Sequence, residues 1–96
     1  MWCQQISPWK QNWPNPFNAG TAISFALPAH HAMELAVYNI SGQRVATLVR
    51  GERPAGRYRV AWDGRDDVGA ELASGAYLYR LRAGDRVHTR KLLLLR

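Results

Sequence analysis

The side chains that could do chemistry are few, and three of them are carboxylates in one short segment. Asp63, Asp66 and Asp67 lie within five positions of the chain, with Gly64 among them and Gly69 close by. Oxygen ligands clustered in this way can hold Ca²⁺, but Asp and Gly also build turns without a metal. Because the segment lacks the ligand register of an EF-hand, we predict a turn and keep a calcium site as the alternative.

The histidines and nucleophiles do not form a catalytic pattern. His30 and His31 are adjacent and His88 lies far along the chain, so a three-histidine zinc site would require a coincidence of folding. Cys3 is the only cysteine, which excludes an internal disulfide. No G-x-S-x-G motif positions a serine, and a sandwich of this size is expected to offer little concavity for a substrate. We predict that the chain is not an enzyme and uses no cofactor.

The chain is basic, with 13 Lys and Arg against seven Asp and Glu and a formal net charge of +6. Arg57, Arg59, Arg80 and Arg82 alternate with other residues at a period of two, which predicts that they lie on the solvated face of strands. No interleaved aromatic stacking platform accompanies this charge, so we predict no nucleic-acid binding. A polymer-binding accessory module, with affinity for acidic polymers, remains an alternative function.

Length and composition indicate one folded domain. The 96 residues suffice for one core, and the composition of 47% hydrophobic and 21% charged residues is typical of a folded chain. No apolar run approaches the ~20 residues of a membrane span, and the start lacks the apolar core of a signal peptide. We therefore expect no transmembrane segment, and no export signal of that kind within this sequence.

Residues 1–18 are predicted to form a linker rich in proline and tryptophan, followed by a domain over residues 19–96. Prolines at this density oppose both helices and central strands because proline lacks a backbone N–H. The tryptophans are expected to pack onto the edge of the domain, since exposed tryptophans would form a costly apolar patch. Trp9 and Trp13 are also the candidates for stacking on a carbohydrate ring.

From Thr21 onward the hydrophobic period is two, which is typical of strands, and no helical stripe is present. Turn signals recur every 8 to 12 residues, as in sandwich folds of about seven strands. The third strand is predicted to span residues 44–49, with a connection over residues 50–55, and residues 71–72 are a candidate short edge strand. This pattern predicts an all-β, immunoglobulin-like Greek-key β-sandwich.

The inward phase of the predicted strands gives the expected core. Trp62 ends one inward series and is expected to meet Tyr77 and Tyr79 from the opposite sheet. The predicted core residues are Phe25, Leu35, Val37, Tyr58, Val60, Trp62, Tyr77, Tyr79 and Leu81. We expect these side chains to fill the space between two facing sheets.

Four motifs carry a resemblance to a known family. They are QNWPNPFN at 11–18, YNISGQ at 38–43, WDGRDD at 62–67 and SGAYLYRL at 74–81. With these motifs the chain resembles the type A C-terminal sorting domain of type IX secretion and the related FlgD-type Ig-like domain of flagellar hook-cap proteins. The resemblance covers residues 11–96 and implies a β-sandwich at the C-terminus of a secreted or surface protein.

The resemblance also implies a role for the end of the chain. In that family the final strand, which is basic and apolar, contributes to recognition by the outer-membrane export machinery. The matching positions here are Lys91, Leu92, Leu93, Leu94, Leu95 and Arg96. The implied function is a non-catalytic sorting or anchoring module that directs an attached protein through type IX secretion to the cell surface or exterior. Its expected partner is the secretion machinery or a cell-surface protein, and the module is expected to be part of a larger polypeptide. A structural FlgD-like domain that mediates assembly with other proteins is the alternative.

Overall fold

The computed structural model describes residues 20–95, and all of its regular elements are β-strands. They are β1 (Thr21–Leu27), β2 (His31–Asn39), β3 (Arg44–Arg53), β4 (Gly56–Trp62), β5 (Gly75–Ala83) and β6 (Arg86–Leu94). Within this range no helix is long and apolar enough to cross a membrane. The predicted linker over residues 1–18, with Trp9 and Trp13, lies outside the described residues, as does Arg96.

The strands form two antiparallel sheets that enclose the core. One sheet has the order β1-β4, and the other has the order β3-β2-β5-β6. The chain crosses between the sheets after β1, β3 and β4, whereas β2–β3 and β5–β6 are hairpins. Immunoglobulin domains divide their strands in the same way, with B and E in one sheet and C′, C, F and G in the other. The predicted immunoglobulin-like sandwich is confirmed.

The described residues contain six strands, where the sequence predicts about seven. The difference arises at residues 71–72, which were predicted as a short edge strand. Glu71 instead pairs with Arg65 in an isolated bridge, and the backbone N–H of Leu72 donates to the carbonyl oxygen of Gly64 at 3.1 Å. These contacts close the loop between β4 and β5 on itself, so the segment has no long partner strand.

Strand β3 is longer than the alternation of its sequence predicts. It continues past Val49 to Arg53 because residues 50–53 pair with residues 31–34 of β2. Gly51 has a φ of 125° within this pairing, a backbone conformation that residues with a Cβ rarely adopt. The predicted connection over residues 50–55 is therefore wrong for residues 50–53.

The core lies between the sheets and contains the inward side chains of both. Trp62 closes one end of it, and its ring meets the ring of Tyr77 edge to face with centroids 6.0 Å apart. Phe25 stacks on Tyr58, its cross-strand neighbour, at 5.2 Å. Of the predicted core residues, Tyr58 and Val60 are partly buried, and the others are buried: Phe25, Leu35, Val37, Trp62, Tyr77, Tyr79 and Leu81.

Two tyrosine hydroxyls fix the entry of the chain into its strands. Tyr77, near the start of β5, donates to the carbonyl oxygen of Ala73 at 2.6 Å, and Tyr58, near the start of β4, donates to that of Pro54 at 2.5 Å. The first bond is the tyrosine corner of immunoglobulin folds, in which a tyrosine early in strand F bonds to the backbone a few residues upstream. A bond of this kind orders the preceding loop without a disulfide.

Tyr79 lies two residues after Tyr77, and its hydroxyl, unlike that of Tyr77, is not hydrogen-bonded to the described backbone. Its side chain is fully buried, and its hydroxyl has no hydrogen-bond partner among residues 20–95. Burial raises the pKa of Tyr79, and its cross-strand neighbour Arg90 offsets part of the rise. A buried hydroxyl without a partner costs about 1 to 3 kcal/mol of stability, so this group weakens the core that its ring fills.

We expect the two hydroxyls to respond in opposite directions to removal. Tyr77→Phe deletes a bond to a backbone acceptor and should lower the free energy of unfolding by about 1 kcal/mol. Tyr79→Phe deletes an unpaired polar group and should leave that free energy unchanged or raise it by about 1 kcal/mol. Urea denaturation of the two variants measures both effects, and equal losses would contradict the assignment.

Tyr79 should also make stability depend on pH in the alkaline range. Because its pKa in the folded state lies above the ordinary value of 10.0, the unfolded chain releases this proton first. Below pH 10.0 the phenol is neutral in both states, so the free energy of unfolding keeps its full value. As the pH rises from there toward the folded-state pKa, ionisation stabilises the unfolded chain, and the free energy of unfolding falls. Denaturation at successive pH values above about 10 should show a steeper fall for the wild type than for Tyr79→Phe, and identical slopes would refute the prediction.

Candidate functional site

The loop between β4 and β5 is organised by its own carboxylates. Asp66 Oδ1 accepts the backbone N–H groups of Val68 at 3.1 Å and Ala70 at 2.9 Å. Asp67 Oδ1 accepts the N–H of Thr47 on β3 at 2.8 Å. The first carboxylate thus shapes the loop, and the second fastens it to the edge of the larger sheet.

The third carboxylate of this loop is also engaged, and it lies beside a cation. Asp63 Oδ1 accepts the backbone N–H of Arg65 at 3.1 Å. The guanidinium of Arg65 donates to the carbonyl oxygen of Gly69 and to the carboxylate of Glu71. Over residues 20–95 no group of three His, Cys, Asp or Glu side chains could hold a metal ion. This geometry favours the turn over the calcium alternative.

The histidines are placed on separate parts of the fold. His30 Nε2 lies 3.3 Å from Glu52 Oε1 in an exposed pair, and His31 begins β2. His88 lies on β6 opposite Leu81 of β5. Over residues 20–95 these histidines do not belong to a group of three ligands that could hold a metal ion.

An open cleft of about 620 Å³ lies beside this loop, which is more concavity than the sequence predicts. It is bordered by the start of β1, the middle of β3, the end of β4 and the loop itself. Trp62 lines it but is only 3% exposed, and its Nε1–H donates to the carbonyl oxygen of Arg65 at 2.9 Å. The ring is therefore packed into the core and does not offer a face for stacking on a sugar.

The predicted sorting residues that the structure describes are the last four residues of β6 and Leu95, which follows it, and burial divides them into two groups. Leu92 and Leu94 are fully buried members of the core and lie opposite Tyr77 and Gly75 of β5. Their side chains hold the strand against the rest of the sandwich. These two leucines are thus required by the fold, whatever else the strand does.

The other group faces outward. Lys91 is exposed, Leu93 is half-buried, and Leu95 is 53% exposed just beyond the end of β6. A run of four leucines has no period of two, so the sequence does not show which of them point inward. Among the predicted sorting residues within residues 20–95, a partner can reach mainly Lys91 and Leu95 without unfolding the domain.

The first half of β6 has charged side chains in the inward phase, a feature that the sequence analysis missed. These residues lie opposite buried residues of β5, in the pairs Arg86–Ala83, His88–Leu81 and Arg90–Tyr79. Arg86 and Arg90 are nevertheless exposed, and His88 is half-buried. The two-stranded sheet therefore does not cover this part of β6. The alternation of Arg86, His88 and Arg90 with Val87 and Thr89 was the signal that could have revealed it.

The two outer strands of the larger sheet differ in how their edges are used. At the edge of β3, Thr47 and Val45 bond to Asp67 through their backbone groups. No described strand pairs with β6 on the side away from β5. Strand β6 thus has an outer edge. The main-chain groups of residues 86–91 that point outward at this edge have no described partner strand.

The arginines predicted on the solvated faces are not all equivalent. Arg57 and Arg59 on β4 and Arg82 on β5 are exposed. Arg80 is half-buried, because its guanidinium lies 4.6 Å from the ring centroid of Tyr38 and donates to the hydroxyl of that residue at 2.7 Å. This stacking covers the aromatic ring that the outer face of the larger sheet would otherwise present.

The carboxylate of Asp66 should matter for stability and not for calcium binding. Asp66→Ala removes the acceptor of two backbone N–H groups and should lower the free energy of unfolding by about 1 to 2 kcal/mol, whereas Asp66→Asn keeps an acceptor and should lose less. Millimolar CaCl₂ should leave the melting temperature of the wild type unchanged. Thermal denaturation tests both points, and a rise of several degrees with calcium would contradict this assignment.

Two solved structures from Porphyromonas gingivalis share the fold. Dimeric latent PorU aligns with 88% of this chain over 9% of its own length, at a TM-score of 0.70 and 15% identity. PorZ, an essential surface component of the type IX secretion system, aligns with 90% of this chain over 11% of its own length, at a TM-score of 0.60 and 20% identity. The chain thus spans about a tenth of each protein, and the likeness is one of fold.

None of the curated proteins matches the chain in sequence. The sequence profile of the FlgD Ig-like domain matches residues 12–87, a range that includes β1 to β5 and the start of β6. This match spans most of the sandwich, including its tyrosine corner and the carboxylate-closed loop. The chain belongs to the FlgD Ig-like domain family.

Proposed function

We propose that the chain is a non-catalytic sorting or anchoring module that directs an attached protein through type IX secretion to the cell surface or exterior. The observation that carries the proposal is the position of β6, an outer strand of the larger sheet with Lys91 exposed on it and Leu95 exposed just beyond its end. The fold shared with a part of PorZ, a component of that secretion system, supports it.

The proposed mechanism is recognition of a strand and its edge. An exposed edge offers main-chain hydrogen bonds to a partner, and side chains beside it provide specificity. Leu92 and Leu94 anchor β6 in the core, so the strand is held extended before any partner arrives. A preorganised strand loses less conformational entropy on binding than a flexible tail.

The proposal assigns no reaction to the domain. The cleft beside the loop is the concave surface where a substrate would sit, and the carboxylates of Asp63, Asp66 and Asp67 border it. Each of these carboxylates accepts backbone N–H groups. Carboxylates engaged in this way serve the loop and are poorly placed to act as general acids or bases.

A second candidate function is structural. The match to the FlgD Ig-like family favours a domain that contacts other subunits of an assembly, as the resemblance to hook-cap proteins implies. In that case the exposed residues of β6 would contact a sister subunit and would not be read during export. Export of an attached reporter separates the two functions.

An export assay tests the sorting function. The full chain is fused behind a reporter with a Sec signal peptide, in a bacterium that has the type IX machinery. We expect the wild-type fusion outside the cell and the double variant Lys91→Glu with Leu95→Ser in the periplasm, because both substitutions alter exposed residues of the recognised strand. Cell fractionation with immunoblotting measures the distribution.

A matched control keeps the test specific. Arg59→Glu with Val68→Ser makes the same kinds of substitution at exposed residues away from β6 and should leave export intact. Melting temperatures of the purified domains show that each variant folds. Periplasmic retention of the wild-type fusion, or full export of the β6 variant, would overturn the proposed function.

A further inference from the structure

The first half of β6 combines an unpaired edge with positive charge. Over residues 86–91 one side of the main chain pairs with β5. The main-chain groups that point to the other side have no described partner strand. In the same stretch, Arg86 and Arg90 are exposed and His88 is half-buried in the inward phase, and Lys91 is exposed in the outward phase. Asp85 is the acidic residue beside them, and its carboxylate lies 4.0 Å from the guanidinium of Arg86 in an exposed pair.

This charge does not suit pairing between two copies of the chain. If two β6 edges met, their arginines would lie side by side, and like charges on neighbouring strands are destabilising. Charged residues on an edge strand are also a common protection against aggregation. The same positive charge complements a strand that carries carboxylates.

We propose that residues 86–91 of β6 accept an extended segment of a partner protein that has Asp or Glu at alternate positions. The proposal rests on the proposed function and deepens it by naming the chemistry of the partner. The added segment continues the larger sheet beyond β6 through main-chain hydrogen bonds. Its acidic side chains lie beside Arg86 and Arg90 on the face that the two-stranded sheet leaves open.

The geometry of strands explains why the acidic residues must alternate. Side chains of an added strand point to the two faces in turn, so every second residue lies on the face of Arg86, His88 and Arg90. Opposite charges on neighbouring strands stabilise a sheet. The guanidinium of arginine can also bind a carboxylate through two parallel hydrogen bonds, which fixes the register of the segment.

The other outer strands fit this partner less well. Backbone groups of β3 are already bonded to Asp67, as described above. The inward phase of β1 is apolar, with Ile23 and Phe25. The inward phase of β4 is apolar too, with Tyr58, Val60 and Trp62, and its arginines lie in the outward phase. Among the described outer strands, β6 is therefore the one whose inward phase is cationic over an unpaired edge.

Synthetic peptides of about ten residues test the proposal with the full purified chain, since strands of this length match β6. One peptide alternates Glu and Thr, a second alternates Lys and Thr, and a third is the Glu-Thr peptide N-methylated at every second residue. The methylated peptide keeps the charge but loses backbone donors. Fluorescence polarisation near physiological salt measures each Kd.

We expect the wild-type chain to bind the Glu-Thr peptide, and Arg86→Glu with Arg90→Glu to weaken this binding by about tenfold or more while favouring the Lys-Thr peptide. Arg50→Glu with Arg59→Glu changes the net charge equally at exposed residues on other strands and should alter the Kd by less than about threefold. Arg86→Gln with Arg90→Gln is a milder variant, and melting temperatures confirm that every variant folds.

Several results would overturn the proposal. They are no binding of the Glu-Thr peptide by the wild type, equal losses in the two charge-reversed variants, and equal affinity for the methylated peptide. Binding of polygalacturonate in place of the peptide would indicate an acidic polymer instead. Failure here is distinct from failure of the sorting function, because the export assay depends on Lys91 and Leu95 and does not involve the peptide.

Discussion

The structure depends on one geometric constraint, which is that within residues 20–95 two strands on one side must cover four on the other. Strands β1 and β4 bury their inward residues against the larger sheet, with Ile23 and Phe25 fully buried between the layers. A two-stranded sheet is too narrow to cover the whole of β6. The second half of β6, with Leu92 and Leu94, belongs to the core. The first half is not covered, and charged side chains occupy its inward phase. The division of β6 into a structural half and an accessible half follows from this mismatch.

A small core of this kind is supplemented by bonds from side chains to the backbone. Three of these bonds lie in the loop between β4 and β5. Asp66 shapes this loop, Asp67 fastens it to β3, and Tyr77 orders its last residues. Many small secreted domains supplement their core with disulfides, whereas in this domain side-chain bonds to the backbone help to order the loop between β4 and β5. Tyr79 lacks such a bond, because the site that buries its ring places no acceptor from residues 20–95 beside its hydroxyl. At Tyr79 the ring is buried at the expense of the hydrogen bond, whereas Tyr77 buries its ring and keeps its hydrogen bond.

The alternation of residues predicted the sandwich and the inward residues that form its core. It failed where a contact distant in the chain decides the outcome. Strand β3 extends to Arg53 because β2 supplies partners there, and Glu71 forms an isolated bridge with Arg65 within its own loop. The leucines of residues 92–95 could not be sorted into buried and exposed, since a uniform run has no phase. The open face over Arg90 depends on the width of the opposite sheet, which no local pattern records.

The placement of Leu92 and Leu94 has a consequence for any partner that contacts β6. Because these leucines hold the strand in the core, its edge exists only in the folded domain. A partner that recognises this edge binds the folded state and not the unfolded chain, and such binding stabilises the fold by mass action. Recognition at β6 therefore discriminates between folded and unfolded domains, which a flexible terminal peptide could not do. Lys91 and Leu95 can change without cost to the core, since neither is buried.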